Sequence, residues 1–377
     1  MAVAGRTGES KTATSIASAL REATFVRLLA DATGDSLAAT GLFARALSYR
    51  GTPFQASVIS TERPTDATDA TDDTTTVCIG RAGAGEVTLP ARETPASETA
   101  FEVCRELDAD PDPVLALAGA FTAGAFEGSV AFESARDREL IEQRPGVAIP
   151  VTDLTDGLTH TTLAHAPFSG DSEATAATFE GCKTDTDDGR REVASLLALS
   201  VVNMEKSTPR AAERIERALR PYAITESENS TGFETVGGYT DVLRASAREQ
   251  PGIGLALALG HDVREAALSA WRTHGKRAHT ALRNARTERH RNLFIAHVGA
   301  DAPLLTTARL LCDFRSPEPV ALVVGEKRAA AAASEGTDIG QRMREAADGE
   351  GWGSTRRGQA RFEDGEEFVT AFREAVA

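Results

Sequence analysis

The segment from Phe25 to Leu47 constrains the fold of this chain more than any other. It begins with a short apolar run, Phe25–Leu29, and continues through a polar turn, Asp31–Ser36. Small and apolar residues then recur with the period of an α-helix: Leu37, Thr40, Gly41, Ala44 and Leu47. The pattern predicts a buried strand that enters a helix through an acidic turn. Because open α/β sheets place their ligand sites at the carboxyl ends of such strands, we expect any chemistry here first.

Two further apolar segments extend this strand into a sheet. Phe54–Ile59 and Val77–Gly80 are each short enough for a buried strand, and the helix separates the first strand from the second. Strand, helix and strand in this order form a parallel, right-handed unit. The segment Ser60–Thr76 is polar and of low complexity, so we assign it no regular structure. The N-terminal part of the chain is therefore predicted to be an α/β domain with a parallel sheet.

The acidic turn resembles a metal-binding motif of a known superfamily. DHH phosphoesterases, and among them the archaeal RecJ-like proteins, carry the pattern HxDADG at this turn, and its histidine and two aspartates bind catalytic manganese or magnesium ions. Aligned on the helix start, the pattern falls on Asp31, Thr33, Asp35 and Ser36. Asp35 keeps an aspartate, whereas Asp31 stands at the histidine position and Thr33 at the other aspartate position. The resemblance implies a retained scaffold with a degenerate metal site.

The other metal-binding motifs of this superfamily lack their ligands here. The third strand ends at Gly80, where an aspartate would bind metal, and Arg81–Pro95 contains no Asp-His-His triplet. A later helix that should end in another ligand is followed by no acid at Phe121–Gly124. A two-metal site needs several anionic or imidazole ligands to hold two ions about 4 Å apart. We therefore expect no cofactor, and we interpret Asp31 and Asp35 as vestigial ligands or, alternatively, as helix caps.

The resemblance extends over most of the chain. Gly237–Asp262 resembles a segment of the archaeal RecJ-like proteins, and the alternating strands and helices after residue 291 resemble the DHH-associated substrate domain. It implies an α/β fold in three parts. These are a parallel-sheet DHH-like N-terminal domain (1–168), an acidic linker with a helical connecting region (169–291), and a smaller α/β DHH-associated C-terminal domain (292–377).

A long basic helix is predicted from Val263 to about Arg291. Small and apolar residues, among them Trp271, repeat along one face at steps of three and four. Basic residues repeat at the same steps on a second face: Arg272, Lys276, His279, Arg283, Arg286 and His290. Such a stripe would suit the phosphates of a nucleic acid. The alternative is a solvated face whose arginines pair with acids elsewhere, and a break at Gly275 would misalign the stripe.

A glycine-rich turn near the C-terminus is a second candidate phosphate site. By resemblance, the DHH-associated domain holds a phosphate with a GGH turn and polar residues of a preceding strand; the corresponding turn here, Gly351–Gly358, has no histidine. The candidate residues are Gly353, Arg356 and Arg357 in the turn, and Lys327 and Arg328 on the preceding strand. Glycine lets a backbone approach a phosphate, and arginine supplies paired donors. The alternative is an ordinary turn with exposed arginines.

The acidic composition indicates an environment rather than a partner. Asp and Glu total 56 against 41 Lys and Arg, which gives a net charge of −15, and only five of the basic residues are lysines. This resembles proteins of a high-salt cytoplasm, where surface charge maintains solubility. The four cysteines are far apart and indicate neither a zinc site nor disulfides. Without a secretory signal or a bilayer-length apolar segment, we expect a cytoplasmic protein that does not enter membranes.

Three functions remain open at the level of sequence. The first is a non-catalytic RecJ-like DHH-superfamily paralogue that binds single-stranded nucleic acid or serves as a replication-fork scaffold; resemblance implies the GINS or MCM replication complex as its partner. The second is an active Mn- or Mg-dependent single-stranded-DNA exonuclease or phosphoesterase, in which Asp31 and Asp35 would converge with acids such as Asp153 and Asp156. The third is a regulatory partner of an active RecJ-like paralogue. Neither a Walker loop nor a complete GxGxxG is present, so nucleotide hydrolysis and dinucleotide chemistry have no support.

Overall fold

The chain folds into two compact units, each built from two separate segments. The computed structural model describes residues 13–59, 74–80, 85, 87–90, 94–125, 128–205, 207–225 and 232–377. The first unit comprises Met1–Glu142 and Tyr222–Ala270, and the second comprises Gln143–Pro221 and Trp271–Ala377. Both predicted domain boundaries, after residue 168 and after residue 291, fall inside the second unit.

A four-stranded parallel sheet organises the first unit, in the order β2-β1-β3-β4. Its strands are β1 (Phe25–Asp31), β2 (Phe54–Ile59), β3 (Thr74–Gly80) and β4 (Val87–Pro90), and a separate pair consists of β5 (Ile141–Gln143) and β6 (Tyr222–Ile224). The helices are α1 (Ala13–Glu22), α2 (Gly34–Arg50), α3 (Ala96–Glu106), α4 (Pro113–Ala123), α5 (Val130–Asp137), α10 (Val236–Glu249), α11 (Pro251–Leu259) and the start of α12 (Arg264–Asn284). The predicted parallel sheet is confirmed, with β4 as a strand that the sequence pattern did not indicate.

Close packing of α2 positions the acidic turn at the edge of this sheet. Side chains alternate along β1, so that Val26, Leu28 and Ala30 are fully buried. α2 is buried along most of its length because its small residues let neighbouring helices approach. A Cβ at Gly41 would lie only 2.3 Å from the carbonyl oxygen of Ala258 in α11. The N-terminus of α2 is therefore held where β1 ends.

A six-stranded sheet organises the second unit, in the order β11-β12-β10-β9-β8-β7. Its strands are β7 (Arg286–His290), β8 (Leu293–His297), β9 (Val320–Val324), β10 (Arg328–Ala333), β11 (Gly351–Gly353) and β12 (Arg357–Arg361). The helices are α6 (Leu154–His160), α7 (Ser172–Thr178), α8 (Asp187–Val202), α9 (Pro209–Glu216), the rest of α12, α13 (Leu304–Leu310) with a π-helical turn (Leu311–Arg315), α14 (Ile339–Ala346) and α15 (Gly365–Val376). β8 and β9 are parallel, and the other neighbouring strands are antiparallel. The predicted mixed α/β C-terminal part is confirmed.

The predicted basic helix ends earlier than expected. α12 stops at Asn284, and Arg286–His290 pairs with β8 as a strand instead. The charge spacing of three and four continues past the helix, but sheet pairing decides the conformation of these residues. Gly275 does not break α12: a Cβ there would lie 1.9 Å from the carbonyl oxygen of His160, so the glycine lets α12 approach α6 closely.

The predicted acidic linker after residue 168 and the predicted low-complexity segment Ser60–Thr76 both contain regular structure where the structure describes them. Ser169–Arg191 includes α7 and the first turn of α8, whose N-termini are capped by the side chains of Asp171 and Thr186. Thr74–Thr76 begins β3, whereas residues 60–73 of that predicted loop lie outside the described residues. Among the helices that the structure describes, none is both long enough and apolar enough to cross a bilayer.

Candidate functional site

The acidic turn lies at the carboxyl edge of the parallel sheet, as predicted, and the backbone of β3 closes on it. Gly80, the last residue of β3, has φ of 91°. A Cβ at this position would lie 2.2 Å from Ser36 Oγ and 2.9 Å from Asp31 Cβ. The main chain of β3 therefore fills the space beside Asp31 and Ser36. A metal ion and its ligands would need that space.

Hydroxyl groups cap α2 at this turn. Thr33 is the N-cap residue, and its Oγ1 accepts a hydrogen bond from the Ser36 amide at 3.2 Å. The same hydroxyl donates to Ser36 Oγ at 2.8 Å, and Thr40 Oγ1 donates to the Ser36 carbonyl at 2.7 Å. Thr33 and Ser36 occupy two positions of the metal-binding pattern, and both take part in this local hydrogen-bond network.

Asp35 is buried and caps a helix distant in sequence. Its Oδ2 accepts from the Ala96 amide at 2.8 Å and its Oδ1 accepts from the Ser97 amide at 2.9 Å. Burial raises the pKa of this carboxyl, and the hydrogen bonds from Ser97 and Ala96 oppose that effect. Capping was the expected alternative role, but the helix that benefits is α3 rather than α2. Both carboxylate oxygens are already engaged by amides at the start of α3.

A second buried acid, which the sequence analysis missed, lies close to the start of another helix. Glu98, in the first turn of α3, is 5% exposed. Burial raises the pKa of its carboxyl, while hydrogen bonds involving Ser129 and the Ala131 amide lower it. Those partners lie at the N-terminus of α5, so Glu98 lies beside the start of that helix, while its Oε1 has no hydrogen-bond partner. An acid in the first turn of a helix resembles an ordinary dipole partner in sequence, which is why the pattern did not single it out.

Arginines stand near the positions where the superfamily places its ligands. The carboxylate of Asp31 interacts electrostatically with Arg248 of α10. Arg244, one turn earlier, donates to the carbonyl oxygens of Phe121 and Thr122 at 3.3 and 3.4 Å, at the end of α4. In the part of the chain that the structure describes, no three His, Cys, Asp or Glu side chains are grouped so that they could hold a metal ion. The donors at this edge do not fit a two-metal centre.

The further acids considered for an active site are engaged inside the second unit. Asp153 caps α6 by accepting from the Asp156 amide at 2.9 Å. The N–H of Arg272 Nε is shared between both carboxylate oxygens of Asp156 at 3.0 Å, and Arg272 Nη2 donates to Asp156 Oδ2 at 2.8 Å. Asp156 also contacts His160 Nδ1 at 3.0 Å. Although burial works in the opposite direction, these hydrogen bonds and charges lower the pKa of Asp156 to about 2.

The basic stripe is not one continuous surface. Arg272 is committed to Asp156, and His279 is fully buried. Arg283 Nη2 donates to the carbonyl oxygen of Ser169 at 2.6 Å, whereas Lys276 is exposed. Arg286 follows the end of α12 and pairs with Glu288 of its own strand at 3.1 Å. Arg272 and Arg286 thus pair with acids, the arrangement that the alternative interpretation describes, whereas Arg283 bonds to a carbonyl oxygen. Trp271, at the same level of α12, is a fully buried anchor.

Strand register separates the two halves of the predicted phosphate site. In the β10–β12 pair Arg328 lies opposite Arg361, whereas Arg357 lies opposite Ala332, four residues further along β10. At about 3.4 Å per residue the two ends are about 14 Å apart. Lys327 Nζ instead contacts Glu363 Oε2 at 3.3 Å. The basic pair on the preceding strand therefore does not face the same phosphate as the turn.

The glycine turn itself closes against α14. The Ile339 and Gly340 amides donate to the carbonyl oxygens of Thr355 and Ser354 at 3.3 and 2.8 Å. Gly353 has φ of 153°, and a Cβ there would lie 2.2 Å from the Arg357 carbonyl oxygen. The first amides of α14 are thus occupied by the turn, while the side chain of Arg356 is exposed and that of Arg357 is half-buried.

Comparison with known proteins places this chain beside a haloarchaeal relative. It is 49% identical over 374 residues to "Uncharacterized protein rrnAC1427" of Haloarcula marismortui, and the alignment covers 96% of each chain. The family model described as "Uncharacterized protein rrnAC1427, C-terminal domain" matches residues 285–374. These residues include β7 to β12 and most of α15.

Solved structures with a similar fold are RecJ and CDC45. The chain matches RecJ from Thermus thermophilus in complex with Mn²⁺ at 13% identity and a TM-score of 0.53, covering 97% of this chain and 54% of that one, so it spans about half the length of that RecJ. It matches an exonuclease RecJ bound to manganese at 13% identity and 0.52, covering 98% and 94%. It matches CDC45 from Entamoeba histolytica at 10% identity and 0.56, covering 97% and 98%. The chain belongs to the same protein family as Haloarcula rrnAC1427, and it has the fold of the RecJ-like DHH superfamily.

Proposed function

We propose that this protein is a RecJ-like DHH-superfamily paralogue that works without a two-metal site, by binding single-stranded nucleic acid as a non-catalytic component of a replication or repair complex. The observation that carries the proposal is the state of Asp35, the one aspartate kept from the metal-binding pattern. Both of its carboxylate oxygens accept hydrogen bonds from the first amides of α3.

Energetics favour the capping role of Asp35 over metal binding. A hydrogen bond to a charged group contributes about 1.5–3 kcal/mol, and withdrawing the carboxylate would leave two buried amides unsatisfied. A divalent ion would also need other anionic ligands to offset its dehydration. Asp31 interacts electrostatically with Arg248, a cation, and Thr33 and Ser36 are neutral. The carboxyl edge is thus better suited to stabilising the scaffold than to holding manganese or magnesium.

The comparisons support the RecJ-like fold, but they neither distinguish a non-catalytic role from an exonuclease nor identify a partner. The fold of CDC45 covers nearly the whole chain at a TM-score of 0.56, and the RecJ structures cover it equally. The sequence resemblance implied GINS or the MCM complex as the protein partner, and we retain these as the partners to test. A RecJ-like paralogue as partner is the competing assignment. No cofactor is proposed, and Mn or Mg would be required only by the exonuclease alternative.

The decisive experiment measures degradation and binding in the same samples. Purified protein in KCl is mixed with 5′-labelled and 3′-labelled single-stranded DNA, with Mn²⁺ or Mg²⁺, and compared with Asp31→Ala. Asp31 rather than Asp35 is changed because its removal leaves the α3 cap intact. We expect binding without turnover in both proteins. Turnover by the wild type that Asp31→Ala abolishes, with an unchanged thermal midpoint, would establish the exonuclease alternative.

Partner assignment is tested separately with purified components. Co-elution with purified GINS or MCM, and with a RecJ-like paralogue, is measured in the presence and absence of single-stranded DNA. Binding to DNA and to GINS or MCM supports the scaffold role. Binding only to the RecJ-like paralogue, with no DNA affinity of its own, would replace it with a regulatory role.

A further inference from the structure

One face of α9 carries an arginine row that the sequence analysis did not single out. Arg210, Arg214 and Arg217 follow one another at steps of four and three, so they lie along one side of the helix and its C-terminal end. The adjacent positions Ala211 and Ile215 are buried in the apolar cluster of the second unit. Burial of those two residues fixes the rotation of α9 about its axis. The arginine row therefore lies next to the apolar cluster.

The row runs along the π-helical turn. Arg210 Nη1 donates to the carbonyl oxygens of Cys312, Glu318 and Ser316 at 2.8, 3.3 and 3.4 Å. Arg214 Nε forms an ion pair with Asp313 Oδ1 at 3.0 Å. These two guanidinium groups are held in place by the protein itself. Arg217 lies beyond them with an exposed side chain.

The arginines of the glycine turn reach the same place from the other side. Arg357 lies directly opposite Ala332, and residues paired in this way project from the same face of a sheet. Ala332 belongs to the same apolar cluster as Ala211 and Cys312. Arg357 therefore projects from the face of the sheet that α9 and the π-helical turn cover. Arg356, whose carbonyl oxygen accepts from the Ala333 amide at 2.9 Å, precedes it at the strand end.

The pKa shifts of Arg217 and Cys312 also indicate that arginines of α9 and of the glycine turn lie close together. Burial, and then the charges of Arg214 and Arg356, lower the pKa of Arg217, with Asp313 and Glu213 acting in the opposite direction. Burial raises the pKa of the Cys312 thiol to about 11, and the charges of Arg210, Arg214 and Arg357 act against that effect. The charges of the other arginines of α9 and of the glycine turn thus act on Arg217 or on Cys312, in a chain of net charge −15. Like charges held together in this way are stabilised by an anion.

We propose that Arg210, Arg214, Arg217, Arg356 and Arg357 form one arginine cluster that binds consecutive backbone phosphates of single-stranded nucleic acid. The inference rests on the proposed function and specifies its surface: α9 supplies one side of the site and the glycine turn the other. Arg210 and Arg214 are positioning residues, fixed by the π-helical turn. Arg217 and Arg356 provide exposed donors, and guanidinium groups match phosphate oxygens two at a time.

The test compares two double variants with equal loss of charge. Arg217→Gln/Arg356→Gln removes exposed donors of the cluster, whereas Arg344→Gln/Arg373→Gln removes exposed arginines of α14 and α15. Binding of a fluorescent oligothymidylate is followed by anisotropy over a series of KCl concentrations. We expect the cluster variant to bind about tenfold more weakly, and the salt dependence of log K to fall by about 1.4, at about 0.7 for each lost single-strand contact. The control should stay within about twofold of the wild type, because its arginines lie outside the cluster and salt screens exposed charges that do not contact the strand.

Additional arms separate the possible failures. Arg217→Lys/Arg356→Lys, which keeps the charge but loses the paired donors, should bind more weakly than the wild type and more tightly than Arg217→Gln/Arg356→Gln, with the salt dependence of the wild type. Unchanged thermal midpoints exclude misfolding. If the wild type binds the oligonucleotide and both glutamine variants bind equally well or equally weakly, the cluster is not the site while nucleic-acid binding stands. If the wild type does not bind at all, the proposed function fails and this inference with it. Displacement of the strand by inorganic phosphate at constant ionic strength would mark a site for free phosphate and overturn the assignment.

Discussion

Asp35 illustrates how a single carboxylate can stabilise a scaffold after a ligand role is lost. Its two oxygens satisfy the first two amides of α3, which have no intrahelical partners of their own. The contact joins residues about sixty positions apart in sequence, and the side chain is 5% exposed. A buried acid used in this way is fixed in place by the helix dipole as well as by its hydrogen bonds.

Replacing Asp35 by asparagine should destabilise the protein. Asparagine keeps the shape but turns an NH₂ group towards one of the two amides, so one buried donor loses its acceptor. We expect the free energy of unfolding to fall by about 2 kcal/mol, the cost of an unsatisfied buried group. Denaturant unfolding measures it, with Asp185→Asn on an exposed site as the control for charge. Equal stability of the two variants would contradict the capping role.

Replacing Gly275 by alanine, the smallest possible change at this position, should destabilise the protein. Alanine is preferred to glycine in a helix by about 1 kcal/mol, but its Cβ would lie 1.9 Å from the His160 carbonyl oxygen. Since backbone must shift to accommodate it, we expect Gly275→Ala to lower the thermal midpoint and cost about 2 kcal/mol or more. Gly252→Ala in α11 is the matched control, because no atom lies within 4 Å of a Cβ there. That variant should be neutral or slightly more stable.

At the scale of elements, α12 shows what local patterns determine and what they leave to the sheet. The strand, turn and helix of Phe25–Leu47 were predictable because apolar period and turn chemistry are local. The end of α12 was not, because residues 286–290 become a strand only through pairing with β8. The separation of Arg328 from Arg357 likewise depends on β10–β12 register, which the sequence of either strand does not specify. The partner helix of Asp35 is a third case, since it depends on packing across the unit.

α12 also contains half of a buried histidine pair. His165 Nδ1 and His279 Nδ1 are 3.0 Å apart, and His279 Nε2 is 2.9 Å from the Thr161 carbonyl oxygen. If Nε2 carries the hydrogen of neutral His279 and donates it to that carbonyl, His279 Nδ1 accepts and His165 Nδ1 donates. Burial, and then the charges of His279, Arg315 and Arg283, hold the pKa of His165 well below its usual value. The surroundings of His165 thus favour its neutral form.

This pair makes stability fall on the acid side of neutrality. Unfolded His165 takes up a proton near pH 6.5 and the folded residue does not, so the stability is fully present above that pH and is lost as pH decreases. We expect a loss of up to about 1.4 kcal/mol per pH unit between about pH 6.5 and 5.5. Denaturant unfolding across this range gives the slope for the wild type, His165→Gln and the half-exposed control His290→Gln. A slope unchanged in His165→Gln would assign the effect to other groups.

At the scale of the whole molecule, the division of the chain into two units does not follow the changes in composition along the sequence. The two units are each assembled from two segments, so a boundary drawn where composition changes does not follow them. The acidic segment Ser169–Arg191 is a case in point, since it supplies the caps of α7 and α8 inside the second unit. Composition instead bears on the net charge of the chain, in which 56 acids stand against 41 basic residues. Repulsion among unpaired surface charges opposes the compact state.

Salt should therefore stabilise this protein, and the size of the increase in thermal midpoint should depend on its surface charge. The Debye length falls from about 10 Å at 0.1 M to about 3 Å at 1 M, so screening should raise the thermal midpoint in KCl by several degrees and level off near 1 M. Asp185→Asn/Glu192→Gln removes two exposed negative charges and should reduce this dependence, whereas Arg344→Gln/Arg373→Gln removes two exposed positive charges and should increase it. Scanning calorimetry of the three proteins across KCl concentrations measures both effects. Identical salt curves would show that the gain comes from general strengthening of apolar burial by salt instead of from relief of charge repulsion.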